Sequence, residues 1–289
     1  VPYTAGDTLD GLRVDLGDIP LGGVDDAGVA WSLQTLEGWD SAEHRSETQQ
    51  REGDHGAWLG PAYLGERPIT LAGTITAPDR GVLDDATERI RAAAALAPTL
   101  LVVQESRPKQ AVVQRSGKPL LQYLTDRLAS YSVMVTAGDP RRYSTDLQQG
   151  TTALPSTSGG LTLPYAVPYT ISATTVAGQV DALNEGSIDT RPALTITGPV
   201  SQPRVYGQMP DGSVRVVKCA FDLLDGDVLV IDTDMHTAIL NGNTSRRRFV
   251  SAPQGWPTIP ARGTVSYQFR SSVYSATALL TVQWRSAWM

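Results

Sequence analysis

The chain has 289 residues, 41% of them hydrophobic and 19% charged, with 27 glycines and 19 prolines. Twenty-four lysines and arginines against 30 aspartates and glutamates give a net charge of −6, which argues against the clustered positive charge that nucleic-acid binding needs. The single cysteine, Cys219, excludes an intramolecular disulfide or a cysteine metal cluster, and no stretch approaches the roughly 18–20 apolar residues of a membrane-spanning helix. The length fits two domains, and the glycine and proline content suits short strands and turns better than a helical bundle. No leader is legible at Val1-Pro2-Tyr3, so synthesis in a reducing cytoplasm is expected.

In the first half, residues 11–15 and 29–33 have strand character, with Gly22-Gly23 as a turn between them. Residues 37–65 are polar, charged and glycine-rich around Trp39, Trp58 and Tyr63, and read as a long connection, functional or disordered. Residues 67–77 alternate strictly, with Ile69, Leu71, Gly73 and Ile75 on one side and threonines and alanine on the other. A helix is predicted over residues 83–97, where Leu83, Ala86, Ile90, Ala93 and Ala97 share a face. Asp84, Asp85 and Glu88 favour the positive end of its dipole, and Pro98 stops it. Strands are predicted at 100–104, 110–114 and 127–136, the last leading into Ala137-Gly138-Asp139-Pro140.

A Ser/Thr/Gly/Gln-rich stretch at 144–160 marks the expected boundary, giving domains of 1–145 and 146–289. Beyond it the sequence is strand and turn, beginning with the near-repeat LPYAVPYTI at 163–171. Strands are predicted at 192–197, 204–208, 213–223, 227–232, 236–240, 264–270 and 276–284. Leu194 and Ile196 are expected in the core, and Pro192 can stand only at a strand start or edge because it has no N–H. Asp225-Gly226 and Asn241-Gly242 read as type I′ hairpin turns, which require positive φ at both central residues. The pattern predicts an antiparallel sandwich.

Candidate chemistry is sparse. Asp232, Asp234 and His236 form a D-x-D-x-H run that would converge like metal ligands if it were extended, but a polar hairpin tip explains it equally well. Asp54-His55 resembles half of an acid–base pair, yet no nucleophile accompanies it: there is no G-x-S-x-G elbow, and Cys219 sits within an apolar run. Six tryptophans offer sugar-stacking surfaces or interface anchors, and Arg246-Arg247-Arg248 is too short for a nucleic-acid groove. The sequence therefore predicts no catalytic residues, no cofactor and no bound metal.

Taken in order, RPITLAGTI before a helix, SVMVTAGDPRRYS with Asp139, Pro140 and Tyr143, and then LPYAVPYTI, NEGSIDTRPALTITGP, LLDGDVLVIDT, AILNGNTSR and ALLTVQWRSAW resemble the siphophage distal tail proteins. The resemblance implies a mainly β chain: an N-terminal tail-tube-like β-sandwich or barrel with one flanking helix, then a C-terminal galectin-like antiparallel β-sandwich. It implies a hexameric ring at the distal end of a non-contractile tail, in contact with the tail tube protein, the tape-measure protein and the tail-tip hub protein. DNA would meet the protein only in transit through the lumen, and no membrane insertion is expected. In such a ring the 37–65 segment would reach a neighbour, with Arg51, Asp54, Trp58 and Tyr63 as inter-subunit residues. A galectin-like module binding host-surface saccharide is the alternative.

Overall fold

A computed structural model describes residues 11–93, 96–159 and 173–289. The chain divides into two compact units, the first running to Thr145 and including Met289, the second Asp146–Trp288. Each is mainly β, and the near-repeat at 163–171 lies outside the described residues.

The first unit opens with three short strands, β1 (Val14–Leu16), β2 (Ile19–Leu21) and β3 (Gly23–Val24), and continues through β4 (Ala30–Glu37). A hairpin of β5 (His44–Gln50) and β6 (Ala57–Leu64) precedes β7 (Arg67–Thr76) and the helix α1 (Arg80–Ala93). Then come β8 (Thr99–Val103), β9 (Lys109–Arg115), β10 (Leu120–Tyr123), β11 (Leu128–Ala137) and β12 (Arg142–Ser144). The main sheet runs β2-β1-β8-β9-β11-β7-β4-β3. The longest ladder joins β7 and β11, and alternation along β7 buries Ile69, Leu71 and Ile75 as the period of two requires. Leu83, Ala86 and Ile90 of α1 join the same core.

The helix begins one turn earlier than its apolar face predicts. Asp79 caps it, its Oδ1 accepting the Val82 N–H at 3.0 Å, so the first turn holds no acidic residue and Asp84 instead pairs with Arg80 at 3.1 Å. It is described as far as Ala93; residues 94–95 lie outside the described residues, and Leu96 and Ala97 are already out of the helix. The larger correction concerns residues 37–65: they hold the β5–β6 hairpin rather than an irregular loop, and nothing in β5 alternates because every residue in it is exposed.

Two buried polar centres brace this unit. Arg67 is completely buried at the start of β7; its Nε donates to the Pro140 carbonyl at 2.9 Å and its Nη1 to the carbonyls of Gly38 at 3.2 Å and Trp39 at 2.5 Å. Desolvation, together with the charge of Arg142, pulls the Arg67 guanidinium down to about 10. Gly38 is required beside it, with φ +82° and a Cβ that would stand 1.9 Å from the Pro68 oxygen. At the other centre Asp25 accepts the Val29 N–H at 3.0 Å, Trp31 Nε1 at 3.1 Å and Arg89 Nη1 at 2.5 Å.

In the second unit, β13 (Gln148–Ala153) falls in the stretch read as linker and pairs along β25. A pair of short strands follows, β14 (Ser156–Gly159) and β15 (Ala173–Val176). The remaining strands are β16 (Gln179–Leu183), β17 (Ala193–Thr197), β18 (Arg204–Gln208), β19 (Val214–Cys219), β20 (Val228–Asp232), β21 (Thr237–Leu240), β22 (Thr244–Ser245), β23 (Val250–Ser251), β24 (Thr264–Arg270), β25 (Leu279–Trp284) and β26 (Ala287–Trp288). Two sheets, β13-β25-β17-β20-β21-β22 and β16-β24-β18-β19-β23, close over one core that includes Leu194, Ile196, Ile231, Tyr267 and Phe269, each fully buried. Burial pushes the Cys219 thiol up to about 12, as expected for an inert core residue. Asn241-Gly242 forms the expected turn, both residues at positive φ, between β21 and β22. Asp225-Gly226 does not join a hairpin: the strand after it, β20, pairs with β17 and β21.

Asn184 ties the loops at one end of this sandwich. It is fully buried; its Nδ2 faces the carbonyls of Ile188, Ile259 and Pro260 at 2.8–3.2 Å, and its Oδ1 accepts the N–H groups of Gly186 and Ala287 at 2.9 and 3.1 Å. Gly186 has no room for a side chain, since a Cβ would lie 1.7 Å from the Ala287 oxygen.

Replacing Asn184 by Ala should cost about 2–4 kcal/mol in urea unfolding, because several buried groups lose their partners together. Acid should act on the first unit through Asp25. Burial alone would raise its carboxyl, but the hydrogen bonds from Arg89, Val29 and Trp31 and the Arg89 charge outweigh this and hold it below 3.8. A carboxyl depressed in the folded state adds stability above its unfolded value, and that stability is lost as pH falls through the folded one. Thermal melts followed by near-ultraviolet circular dichroism should therefore show Asp25→Asn less stable at pH 7. Between about pH 5 and pH 2 the variant should lose less stability than the parent chain.

Candidate assembly surface

The β5–β6 hairpin carries all four residues singled out for an interface, and it forms a sheet of its own, pairing with no other strand among the described residues. Its turn is set by Gly53 and Gly56 at φ +87° and +92°, with the Arg51 N–H donating to the Gly56 carbonyl. Midway along, the register shifts between Ser46 and Thr48. Opposite this point lie Gly60 and Pro61, and a bulge is where a strand tolerates proline.

Three of the four residues meet at the tip. The Arg51 guanidinium lies 4.4 Å from the centre of the Trp58 ring and 3.8 Å from the Asp54 carboxylate. Tyr63 is at the other end, opposite Arg45, beside a groove of about 800 Å³ lined by His44, Ser46, Glu47 and Pro61. Trp58 is 63% exposed, Tyr63 64% and Leu59 83%, so the ribbon presents large apolar groups to solvent instead of to its own unit. Leu59 was missed in the sequence, although it stands directly after Trp58, because Gly60-Pro61 interrupts the apolar run right behind it.

Elsewhere the candidates have internal partners. Asp54 Oδ1 accepts the His55 N–H at 2.7 Å, a turn contact. Asp232 Oδ1 accepts the N–H groups of Asp234 and Met235, Asp234 pairs with Arg191, and His236 stacks on Trp256 with ring centres 4.9 Å apart. The D-x-D-x-H run is thus a hairpin tip whose side chains diverge, and the described residues contain no cluster of three or more His, Cys, Asp or Glu fit to hold a metal. Arg247 lies 5.0 Å from the Trp256 ring, and Arg248 4.5 Å from that of Phe249, so the basic run packs on aromatics. Asp139 and Tyr143 close the exit of β11: the Tyr143 hydroxyl donates to Asp139 Oδ2 at 2.5 Å, and the Arg141 N–H donates to Oδ1 at 3.1 Å.

No protein-family model matches the chain, and no curated protein matches it. Solved structures do. The crystal structure of the Dit protein of phage SPP1, described as a paradigm of the hub adsorption apparatus in phages infecting Gram-positive bacteria, aligns with a TM-score of 0.65 at 9% identity. The alignment covers 96% of this chain and 99% of that one. A chain of the phage P2 baseplate in its activated conformation with calcium gives a TM-score of 0.48 at 10% identity, covering 94% and 97% of the two chains. The same baseplate with strontium gives 0.45 at 9%, covering 91% and 99%. Across nearly its whole length the chain is Dit-like in fold.

Proposed function

We propose that this chain is a structural component of a siphophage tail, forming a hexameric ring at the distal end that joins the tail tube to the tail-tip hub. The first unit makes the ring. The tube protein, the tape-measure protein and the hub protein are its neighbours in the virion. The observation that carries the reading is the β5–β6 ribbon, whose Trp58, Leu59 and Tyr63 stay exposed in the single chain on a scaffold with the fold of SPP1 Dit. An isolated two-stranded ribbon is marginal in water, and aromatic residues buried in a central pocket anchor interfaces. The net charge of −6 suits a conduit that repels DNA rather than holding it. A structural role also accords with Asp54, Asp232, Asp234 and His236 each being engaged in local contacts. Binding of neutral sugars through Trp256 is the weaker reading, because His236 and Arg247 already pack on that ring.

Native mass spectrometry of the full chain should show six copies. Trp58→Ala should weaken the ring by about tenfold or more, in line with the roughly 2 kcal/mol of an aromatic anchor, while leaving the melting of the isolated chain unchanged. A monomeric parent chain, or an undiminished ring in the variant by mass photometry at low concentration, would count against the proposal. Hydrogen exchange supplies a second check. Amides of residues 44–64 should exchange quickly in the monomer and become protected in the ring, whereas those of β7 and β11 should be protected in both.

A further inference from the structure

Three cations stand in a row on the outer face of the five-stranded sheet. Lys218 of β19 lies directly opposite Arg204 of β18, which lies directly opposite Arg270 of β24. Neighbouring strands are about 5 Å apart, so three positive charges face solvent within roughly 10 Å. Like charges placed directly across a ladder destabilise it. The core does not demand them, since it is filled from the other face of the same strands by Val205, Val217 and Phe269. The chain as a whole is acidic, so the row is not a by-product of general basicity. Among the described residues, none of the three forms an ion pair with a carboxylate.

The row borders a groove. An open cavity of about 460 Å³, the size of a small-molecule site, is lined by Arg204, Arg270, Tyr206, Gln268, Ser271 and Ser272. Arg270 is held in place, donating through Nη1 to the Phe269 carbonyl at 2.8 Å and through Nη2 to Gln268 Oε1 at 3.0 Å. That contact orients the Gln268 amide and leaves its N–H donors available. The hydroxyls of Ser271 and Ser272 donate to the Ser201 carbonyl at 2.6 and 3.2 Å, and Ser271 Oγ accepts the Val273 N–H at 3.3 Å, so each oxygen keeps at least one lone pair to accept with. Charged forks thus stand beside neutral donors and acceptors in one concave site.

We propose that this groove binds a phosphate-bearing polyol of the sugar-phosphate class. Arg204 and Arg270 take the phosphate as planar, multidentate donors, reinforced by Lys218, and Gln268 with the two serines meets the hydroxyl groups. Three cations in an acidic chain suit one compact anion; a nucleic acid would need a longer basic track. The inference rests on this sheet alone and is independent of ring formation.

Isothermal titration of the full chain with glucose 6-phosphate, glucose and inorganic phosphate tests it. Glucose 6-phosphate should bind, raise the thermal midpoint of the parent chain, and weaken as salt rises. Glucose and phosphate should each bind at least about tenfold more weakly. Arg204→Gln and Arg270→Gln should each lower the affinity by about tenfold or more, and without ligand at low salt they should melt no lower than the parent, because a like-charge contact has been removed. Absence of glucose 6-phosphate binding overturns the proposal, as does equal binding of glucose or of phosphate alone. Unchanged affinity in both variants does the same. Should a variant fail to fold, the comparison of the three ligands on the parent chain decides the matter alone.

Discussion

The guanidinium of Arg67 sits in the interior of the first unit without a carboxylate in hydrogen-bonding contact, and its donors collect the carbonyls of Gly38, Trp39 and Pro140. Those carbonyls belong to the segments leaving β4 and β11, the strands that flank β7. Backbone oxygens at strand exits are beyond the reach of the ladder and costly to bury unmatched. One long, forked side chain answers three of them at once. The Asp139–Tyr143 contact then fixes the turn that presents Pro140. Around this centre Trp39 donates to Glu105 at 2.5 Å, and Arg142 lies 5.5 Å from the Trp39 ring, so the same knot reaches the segment between β8 and β9.

Asn184 solves the corresponding problem in the second unit with a neutral amide. Its carboxamide has donors and an acceptor in one plane and so can serve carbonyls and N–H groups together. In both units much of the polar obligation is gathered at the ends, and the sheet interior is mostly apolar, with Tyr131 and Tyr267 among its buried hydroxyl-bearing residues. A core built this way tolerates little change at the knot and more along the strands, where volume-conserving apolar exchange is mild.

How much of this was legible varied with burial. Strands with one buried face announced themselves: 204–208 and 264–270 are the observed bounds of β18 and β24, and Leu194 and Ile196 lie in the core as their alternation demands. The mainly β class followed from the same pattern. Strands with both faces in solvent were silent, as in β5, or nearly so, as in β13, whose edge position leaves only Thr152 well buried. β16 has just two small inward residues, Val180 and Ala182, too weak a signal beside its polar neighbours. The start of α1 was misplaced because the apolar face begins a turn after the cap. Long-range polar partners were the least legible: nothing in the spacing of Arg67 and Pro140, or of Asn184 and Ala287, indicates that they meet. The cationic row needed the register of three strands before its members became neighbours.

The bulge at Gly60-Pro61 has a consequence for how the exposed ribbon behaves in solution. A two-stranded ribbon with free edges is a template on which further strands can add side by side, the route to fibrils. In β6 that template is broken, since Pro61 offers no N–H and the bulge bends the strand at the same place. Trp58, Leu59 and Tyr63 stay exposed while pairing along the β6 edge is interrupted. A surface that adheres without propagating is what separates a closed assembly from an aggregate.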